Sequence, residues 1–113
     1  MHELALMQEL LPIALEKART GNASRIHVIR LRIGRLSGVV PEALQFAFQT
    51  LSENTPAAGA KLEVELVPVV CYCAACKTEF EAPGPFCECP ACGTLSAEIR
   101  QGRELEIKNM EIS

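Results

Sequence analysis

Aspartate and tryptophan are absent from this sequence of 113 residues, and histidine occurs only twice. Without aspartate the chain cannot form a Ser–His–Asp catalytic triad. It also has no GxxxxGK[S/T] loop, the motif with which many nucleotide hydrolases cradle phosphates. The longest stretch without a charged residue, 66–76, has 11 residues and is too short to cross a bilayer. We therefore expect no membrane insertion, and we do not expect an enzyme.

Charge and the first residues limit the function further. The 14 acidic and 11 basic side chains give a net charge of −3, so the chain has no general attraction to phosphate backbones. We expect no nucleic-acid partner. The amino-terminal residues lack the basic start and the apolar run of a secretory signal peptide, and we therefore expect a cytoplasmic protein.

Six cysteines fall in two copies of one hexapeptide, residues 71–76 and 87–92, and each cysteine lies 16 residues before its counterpart. Each copy contains a CxxC pair. The resulting C-x2-C-x12-C-x2-C pattern allows four thiolates to surround one zinc ion tetrahedrally. The repeat therefore indicates a metal site.

Two other interpretations of the cysteines compete with zinc. A disulfide framework is disfavoured because the cysteines occupy 22 residues, 71–92, and leave most of the chain without a cross-link. Four thiolates also suit a rubredoxin-like iron site, as in a small electron carrier, and this alternative stays open.

Hydrophobic periodicity predicts two helices and three strands. One helix covers residues 3–20, and a second begins at Pro41 and ends near Glu53. The aromatic pair of the second helix, Phe46 and Phe48, should belong to the core. Strands are predicted at about 26–33, 61–66 and 105–112.

The cysteine repeat lies between the second and third predicted strands. A chain of this length forms one domain, or one domain with a small inserted module. The expected fold is α+β, with a small three-stranded sheet flanked by two helices and an inserted zinc-ribbon-like domain whose ligands are four cysteines. We place the α/β domain at residues 1–70 plus 96–113 and the zinc-binding domain at residues 71–95.

The first three residues, Met1, His2 and Glu3, offer a set of nitrogen donors. A free α-amine, the deprotonated amide of His2 and the His2 imidazole form adjacent chelate rings, and three nitrogens in one plane suit square-planar Ni(II) or Cu(II). The Glu3 amide or carboxylate is a candidate fourth donor. The alternative is that His2 is an ordinary solvated side chain. The other histidine, His27, should be partly buried in a structural role.

Three motifs carry a resemblance to a known family. Met1-His2-Glu3 opens the chain, residues 31–34 (LRIG) and 40–44 (VPEAL) lie in its middle, and the paired CxxC turns follow. In this order and at this length, the chain resembles the HypA/HybF family of hydrogenase nickel-incorporation accessory proteins over essentially its whole length. The resemblance implies a nickel metallochaperone that holds structural Zn²⁺ and carries Ni²⁺ as cargo.

The resemblance also implies residue roles and partners. The family's nickel site corresponds to Met1, His2 and Glu3. The expected partners are a HypB-type GTPase, to which GTP hydrolysis belongs, and the large subunit of [NiFe]-hydrogenase; some relatives serve urease and its maturation factors. We expect a monomer or a weak homodimer. The family's zinc site corresponds to four cysteines of this chain: Cys73, Cys76, Cys89 and Cys92.

Two cysteines have no place in that zinc site. Cys71 and Cys87 each precede a CxxC turn by two residues. We expect them to be auxiliary thiols, either outside the first coordination shell or exchanging with the zinc ligands. The alternative is that both are passive or form a local disulfide.

A competing function is a zinc-ribbon adaptor that binds nucleic acid or transcription machinery. Such adaptors usually place lysine and arginine around their metal-binding turns. Residues 71–92 carry three glutamates against one lysine, and acidic turns repel phosphate. The composition therefore disfavours this alternative.

Overall fold

The chain forms two α-helices and six strands within residues 3–113, which are the residues described by the structure, a computed structural model. The helices are α1 (Glu3–Thr20) and α2 (Pro41–Ser52), and a short 3-10 helix, Arg35–Ser37, precedes α2. Neither described α-helix combines the length and the apolar composition that are needed to cross a membrane. The strands are β1 (Ile26–Gly34), β2 (Lys61–Val67), β3 (Val70–Cys73), β4 (Thr78–Glu81), β5 (Ile99–Gln101) and β6 (Leu105–Ile112).

β1 is the central strand of the first sheet, whose order is β2-β1-β6. β1 and β2 run parallel, with Leu31 opposite Val64, and α2 supplies the crossover that parallel neighbours require. β6 pairs antiparallel with the other edge of β1. The predicted α+β class is confirmed. The helices cover one face of this sheet, and the shared core includes Leu6, Met7, Leu10, Ala14, Ile29, Leu31, Ile33, Leu44, Phe48 and Leu62.

The other face of the first sheet carries a ladder of ion pairs. Arg30 Nε donates to Glu63 at 2.9 Å, and Arg32 contacts Glu65 at 2.9 Å and Glu106 at 3.1 Å across the strands. Hydrogen bonds from the two arginines hold the pKa of the Glu63 and Glu65 carboxyl groups below the ordinary value. Exposed pairs of this kind add little stability, but they define which face of the sheet meets solvent.

Two side chains that we expected inside the protein lie on its surface. Phe46 is 71% exposed whereas Phe48 is 3% exposed, because residues two positions apart on a helix point in nearly opposite directions. The expectation for Phe46 was wrong. His27 is also exposed, because the pairing of β1 with β6 shifts register between Ile26 and Val28 and interrupts the strand alternation there.

A second sheet, with the order β4-β3-β5, contains the first half of the first cysteine hexapeptide, Cys71–Cys73. Its central strand is β3, in which Cys71 lies opposite Phe80 of β4 and opposite Ile99 of β5. β5 begins after residue 95. It pairs antiparallel with β3, and the chain then continues into β6 of the first sheet. The two domain ranges given above stay a proposal, in which β5 falls within the range 96–113 although it pairs with β3.

The two sheets meet where Gly34, at the end of β1, passes the backbone of Gly102. A Cβ atom on Gly34 would overlap the Gly102 carbonyl and approach the Arg103 nitrogen to 2.6 Å. Gly34 N–H donates to the Glu104 carbonyl at 2.7 Å, and Leu36 N–H donates to the Gly102 carbonyl at 3.0 Å. Gly102 itself has a φ of 120°, which other residues rarely adopt. Close contact between backbones thus positions the second sheet on the first.

The substitution Gly34→Ala should destabilise the protein by about 3 kcal/mol, because the added methyl group meets backbone that has no room to move aside. Gly84→Ala is the matched control, since a Cβ atom there has no other atom within 4 Å. The control should change the free energy of unfolding by less than about 0.5 kcal/mol. Urea denaturation followed by circular dichroism measures both, and equal stability of the two variants would contradict the tight contact.

Candidate metal centre

The four cysteines of the CxxC pairs lie in two turns that face each other. The first turn connects β3 to β4, and the second is closed by an antiparallel bridge between Glu88 and Leu95. The doubled hexapeptide of the sequence thus becomes two metal-binding turns, or knuckles. Each knuckle contributes one pair to the cluster, Cys73 and Cys76 from the first and Cys89 and Cys92 from the second.

The sulfur atoms are spaced for a tetrahedral metal ion. All four Sγ atoms lie within 4.8 Å of one another. The Sγ atoms of Cys73 and Cys92 are 3.6 Å apart, and those of Cys76 and Cys89 are 3.9 Å apart. Zinc with Zn–S bonds of about 2.3 Å separates its tetrahedral sulfur ligands by roughly 3.8 Å. The cluster therefore fits zinc, and its four thiolates would fill the coordination shell.

The backbone of the two knuckles follows the same course. Lys77 and Gly93, each directly after a CxxC pair, have φ values of 56° and 75°. Glycine adopts this left-handed conformation freely, whereas lysine adopts it at a cost. In the first knuckle Cys76 N–H donates to Cys73 Sγ at 3.4 Å, and in the second Gly93 N–H donates to the Cys89 carbonyl at 2.8 Å. The turn is therefore kept even where the sequence lacks glycine.

Hydrogen bonds distribute charge unevenly over the cluster. Cys92 Sγ lies 3.2 Å from Thr94 Oγ1, and hydrogen bonding with Thr94 lowers the pKa of Cys92 to about 6. The neighbouring sulfurs, that of Cys92 first, raise the pKa of Cys76 to about 12. Near neutral pH Cys92 is therefore already a thiolate when a metal ion binds, and the metal ion displaces protons from other ligands. Thr94 was missed as a site residue, although a hydroxyl two positions after a CxxC pair was a visible signal.

Cys71 and Cys87 are joined by a disulfide bond, with their Cα atoms 5.9 Å apart. The structure thus has the local disulfide that we considered beside the auxiliary-thiol hypothesis. In this state neither sulfur is a free thiol, so neither can ligate a metal as a thiolate. The bond connects the strand that leads into the first knuckle with the segment that leads into the second.

Of the predicted nickel residues, only Glu3 is among those that the structure describes. Met1 and His2 are outside the described residues. Glu3 is the first residue of α1, and its carboxylate accepts a hydrogen bond from the Val40 N–H at 2.9 Å. Val40 immediately precedes the first turn of α2. The amino-terminal ends of the two helices are therefore tied together by Glu3.

Fold and cluster together define a small α+β protein that carries a four-thiolate zinc ribbon. The family model described as "Hydrogenase/urease nickel incorporation, metallochaperone, hypA" matches residues 1–112. The "Hydrogenase maturation factor HypA" of Picosynechococcus sp. is 48% identical over 99% of this chain and 99% of that protein. The protein of the same name from Chloroflexus aurantiacus is 42% identical over 98% of each.

Solved structures agree with this assignment at the level of the fold. The solution structure of the Ni metallochaperone HypA from Helicobacter pylori is 24% identical in sequence and matches with a TM-score of 0.70, covering 99% of this chain and 97% of that chain. The chain belongs to the HypA family of nickel-incorporation metallochaperones, and the family resemblance is confirmed. The predicted cofactors also agree, since the cluster fits zinc and the family description names nickel.

Removal of zinc from the reduced protein should unfold the second sheet and spare α1 and α2. Within residues 70–101 the fully buried side chains are three cysteines, so this unit has little apolar core of its own. A four-thiolate zinc ion supplies about 10–16 kcal/mol to such a unit. NMR spectra of ¹⁵N-labelled protein before and after chelation should show loss of the dispersed β3, β4 and β5 amides alone. Simultaneous loss of the helix resonances would contradict this expectation.

The substitution Thr94→Val should weaken zinc binding about fivefold near neutral pH, the effect of losing roughly 1 kcal/mol of hydrogen bonding to a thiolate. Because the pKa of Cys92 rises in the variant, protons compete better and zinc should be released at a higher pH than in the parent protein. Competition with a chromophoric chelator across a pH series measures both effects. Thr78→Val, an exposed strand position in the same unit, is the control; equal changes in the two variants would remove any special role of Thr94.

Proposed function

We propose that this protein carries Ni(II) during hydrogenase maturation and that its cysteine cluster is a structural zinc site. The observation that carries the proposal is the closed donor set, in which four cysteines from two facing turns can fill a tetrahedral shell. Structural zinc sites are closed in this way, whereas sites that act on a substrate keep a position open. The proposed zinc ligands are Cys73, Cys76, Cys89 and Cys92. A nickel cargo then requires a different site.

The amino terminus is the nickel site that we propose. The α-amine of Met1, the amide nitrogen of His2 and the His2 imidazole provide three donors for square-planar Ni(II). Glu3 provides the fourth donor. Its carboxylate already accepts a hydrogen bond from Val40, which supports the Glu3 amide nitrogen rather than the carboxylate as that donor. Binding through the carboxylate would instead require breaking the bond to Val40.

The partners in this proposal are a HypB-type GTPase, which hydrolyses GTP, and the large subunit of [NiFe]-hydrogenase. Both similar proteins described above are named as hydrogenase maturation factors, which supports hydrogenase rather than urease as the recipient of nickel. The protein itself acts as a non-catalytic carrier in the cytoplasm. It works as a monomer or a weak homodimer.

His2→Ala should abolish Ni(II) binding in the micromolar range, because it removes the imidazole and one chelate ring. A peptide extension before Met1 should do the same, since it converts the α-amine into an amide. Calorimetry of protein without a tag measures the affinity. His27→Ala is the matched control, because His27 is the other histidine of the chain and is exposed. The Nε2 atom of His27 lies 2.7 Å from the Ser113 hydroxyl oxygen.

Zinc content should be unchanged in all these proteins. Nickel affinity that survives the extension would overturn the amino-terminal site. Glu3→Gln then distinguishes the two candidate fourth donors, since a glutamine side chain can still accept the hydrogen bond from Val40. Unchanged Ni(II) affinity would identify the Glu3 amide as the fourth donor, and a loss of affinity of about tenfold or more would identify the carboxylate.

A further inference from the structure

The Cys71–Cys87 disulfide joins equivalent positions of the two repeats. Its sequence separation of 16 is the offset of the hexapeptide repeat, so it links the two knuckles at matching points. Each of its cysteines lies two residues before the first ligand of a CxxC pair. The zinc cluster does not use this bond, and the proposed nickel delivery does not need it.

The two cysteines of the disulfide differ in their exposure to solvent. Cys71 lies in the central strand β3 and is fully buried. Cys87 is partly exposed and lines an open groove of about 630 Å³ at the junction of the two sheets. Leu36, Val69 and Phe86 form part of the wall of this groove. A small thiol that enters the groove therefore meets Cys87, while the neighbouring strands shield Cys71.

We propose that Cys71 and Cys87 are a reversible dithiol–disulfide pair which is opened and closed through Cys87 and which prepares the cysteine cluster for zinc. In the opening reaction a low-molecular-weight thiolate attacks Cys87 Sγ and the Cys71 thiolate leaves and takes up a proton. A second thiol then releases Cys87 from the mixed disulfide. The overall change converts one protein disulfide and two small thiols into two protein thiols and one small disulfide, and closure is the reverse.

The pair is coupled to zinc through the geometry of the knuckles. With the disulfide closed, the metal-free chain already holds the two knuckles together, so zinc has less chain entropy to overcome. Closing a loop of 16 residues corresponds to an increase in zinc affinity of about 100-fold. By thermodynamic reciprocity, bound zinc favours the closed disulfide by the same factor. In a reducing compartment a disulfide of this kind is transient rather than permanent, which suits a switch.

Access through Cys87 is tested with single variants. Zinc-loaded Cys71→Ser protein, treated with glutathione disulfide, should form a mixed disulfide at Cys87. Zinc-loaded Cys87→Ser protein should leave Cys71 unmodified under the same conditions. Intact mass and peptide mapping identify the modified residue. Equal modification of Cys71 and Cys87, or modification of neither, would overturn the assignment of Cys87 as the entry point.

Coupling to zinc is tested with the parent protein. Zinc affinity, measured by chelator competition, should fall about 100-fold when the mapped Cys71–Cys87 disulfide is reduced. The Cys71→Ser/Cys87→Ser protein is the control and should show the lower affinity under both conditions. The parent protein is also equilibrated in glutathione redox buffers. The midpoint reduction potential of the Cys71–Cys87 pair should be about 60 mV lower with zinc than without it. Identical midpoints, or identical affinities of oxidised and reduced protein, would overturn the coupling.

Discussion

The convergence of four thiolates at one point is the constraint on which the second sheet depends. Its strands have only four, four and three residues, and sheets this small are not stable in isolation. The fully buried side chains of residues 70–101 are cysteines, so burial of apolar area contributes little there. A metal ion that binds all four sulfurs replaces the missing core.

Retention and release place opposite demands on a metal site, and the chain meets them with different chemistry. Soft thiolates from two rigid turns suit a metal that stays bound, and their hydrogen bonds orient the sulfurs before the metal arrives. Nitrogen donors at a chain end suit a metal that is handed on. Ordering such an end costs about 1–2 kcal/mol per residue, which limits the affinity and so permits transfer. In the proposed function the two demands are met at separate sites.

Local patterns were enough to predict the helices, the strands of the first sheet and the spacing of the metal ligands. These features depend on periodicity and on the geometry of short turns, which neighbouring residues determine. The exposure of Phe46 was not predicted, because a wide apolar face in the sequence of a helix does not determine which part of that face packs against the sheet. The register shift beside His27 depends on β6, which lies about 80 residues further along the chain. The contact of Gly34 with Gly102 is between two backbone segments that are distant in sequence, and no pattern of side chains predicts it.

That contact also brings the entry and the exit of the inserted unit to one place. Gln101 Nε2 donates to the Pro68 carbonyl at 3.2 Å, and a Cβ atom on Gly102 would lie 3.0 Å from Val69 Cα. The chain thus leaves the first sheet and returns to it through neighbouring points. A segment whose two ends coincide can be lengthened, shortened or exchanged without displacing the strands that flank it. A change in the length of the metal-binding unit would therefore leave the two helices and the first sheet in place.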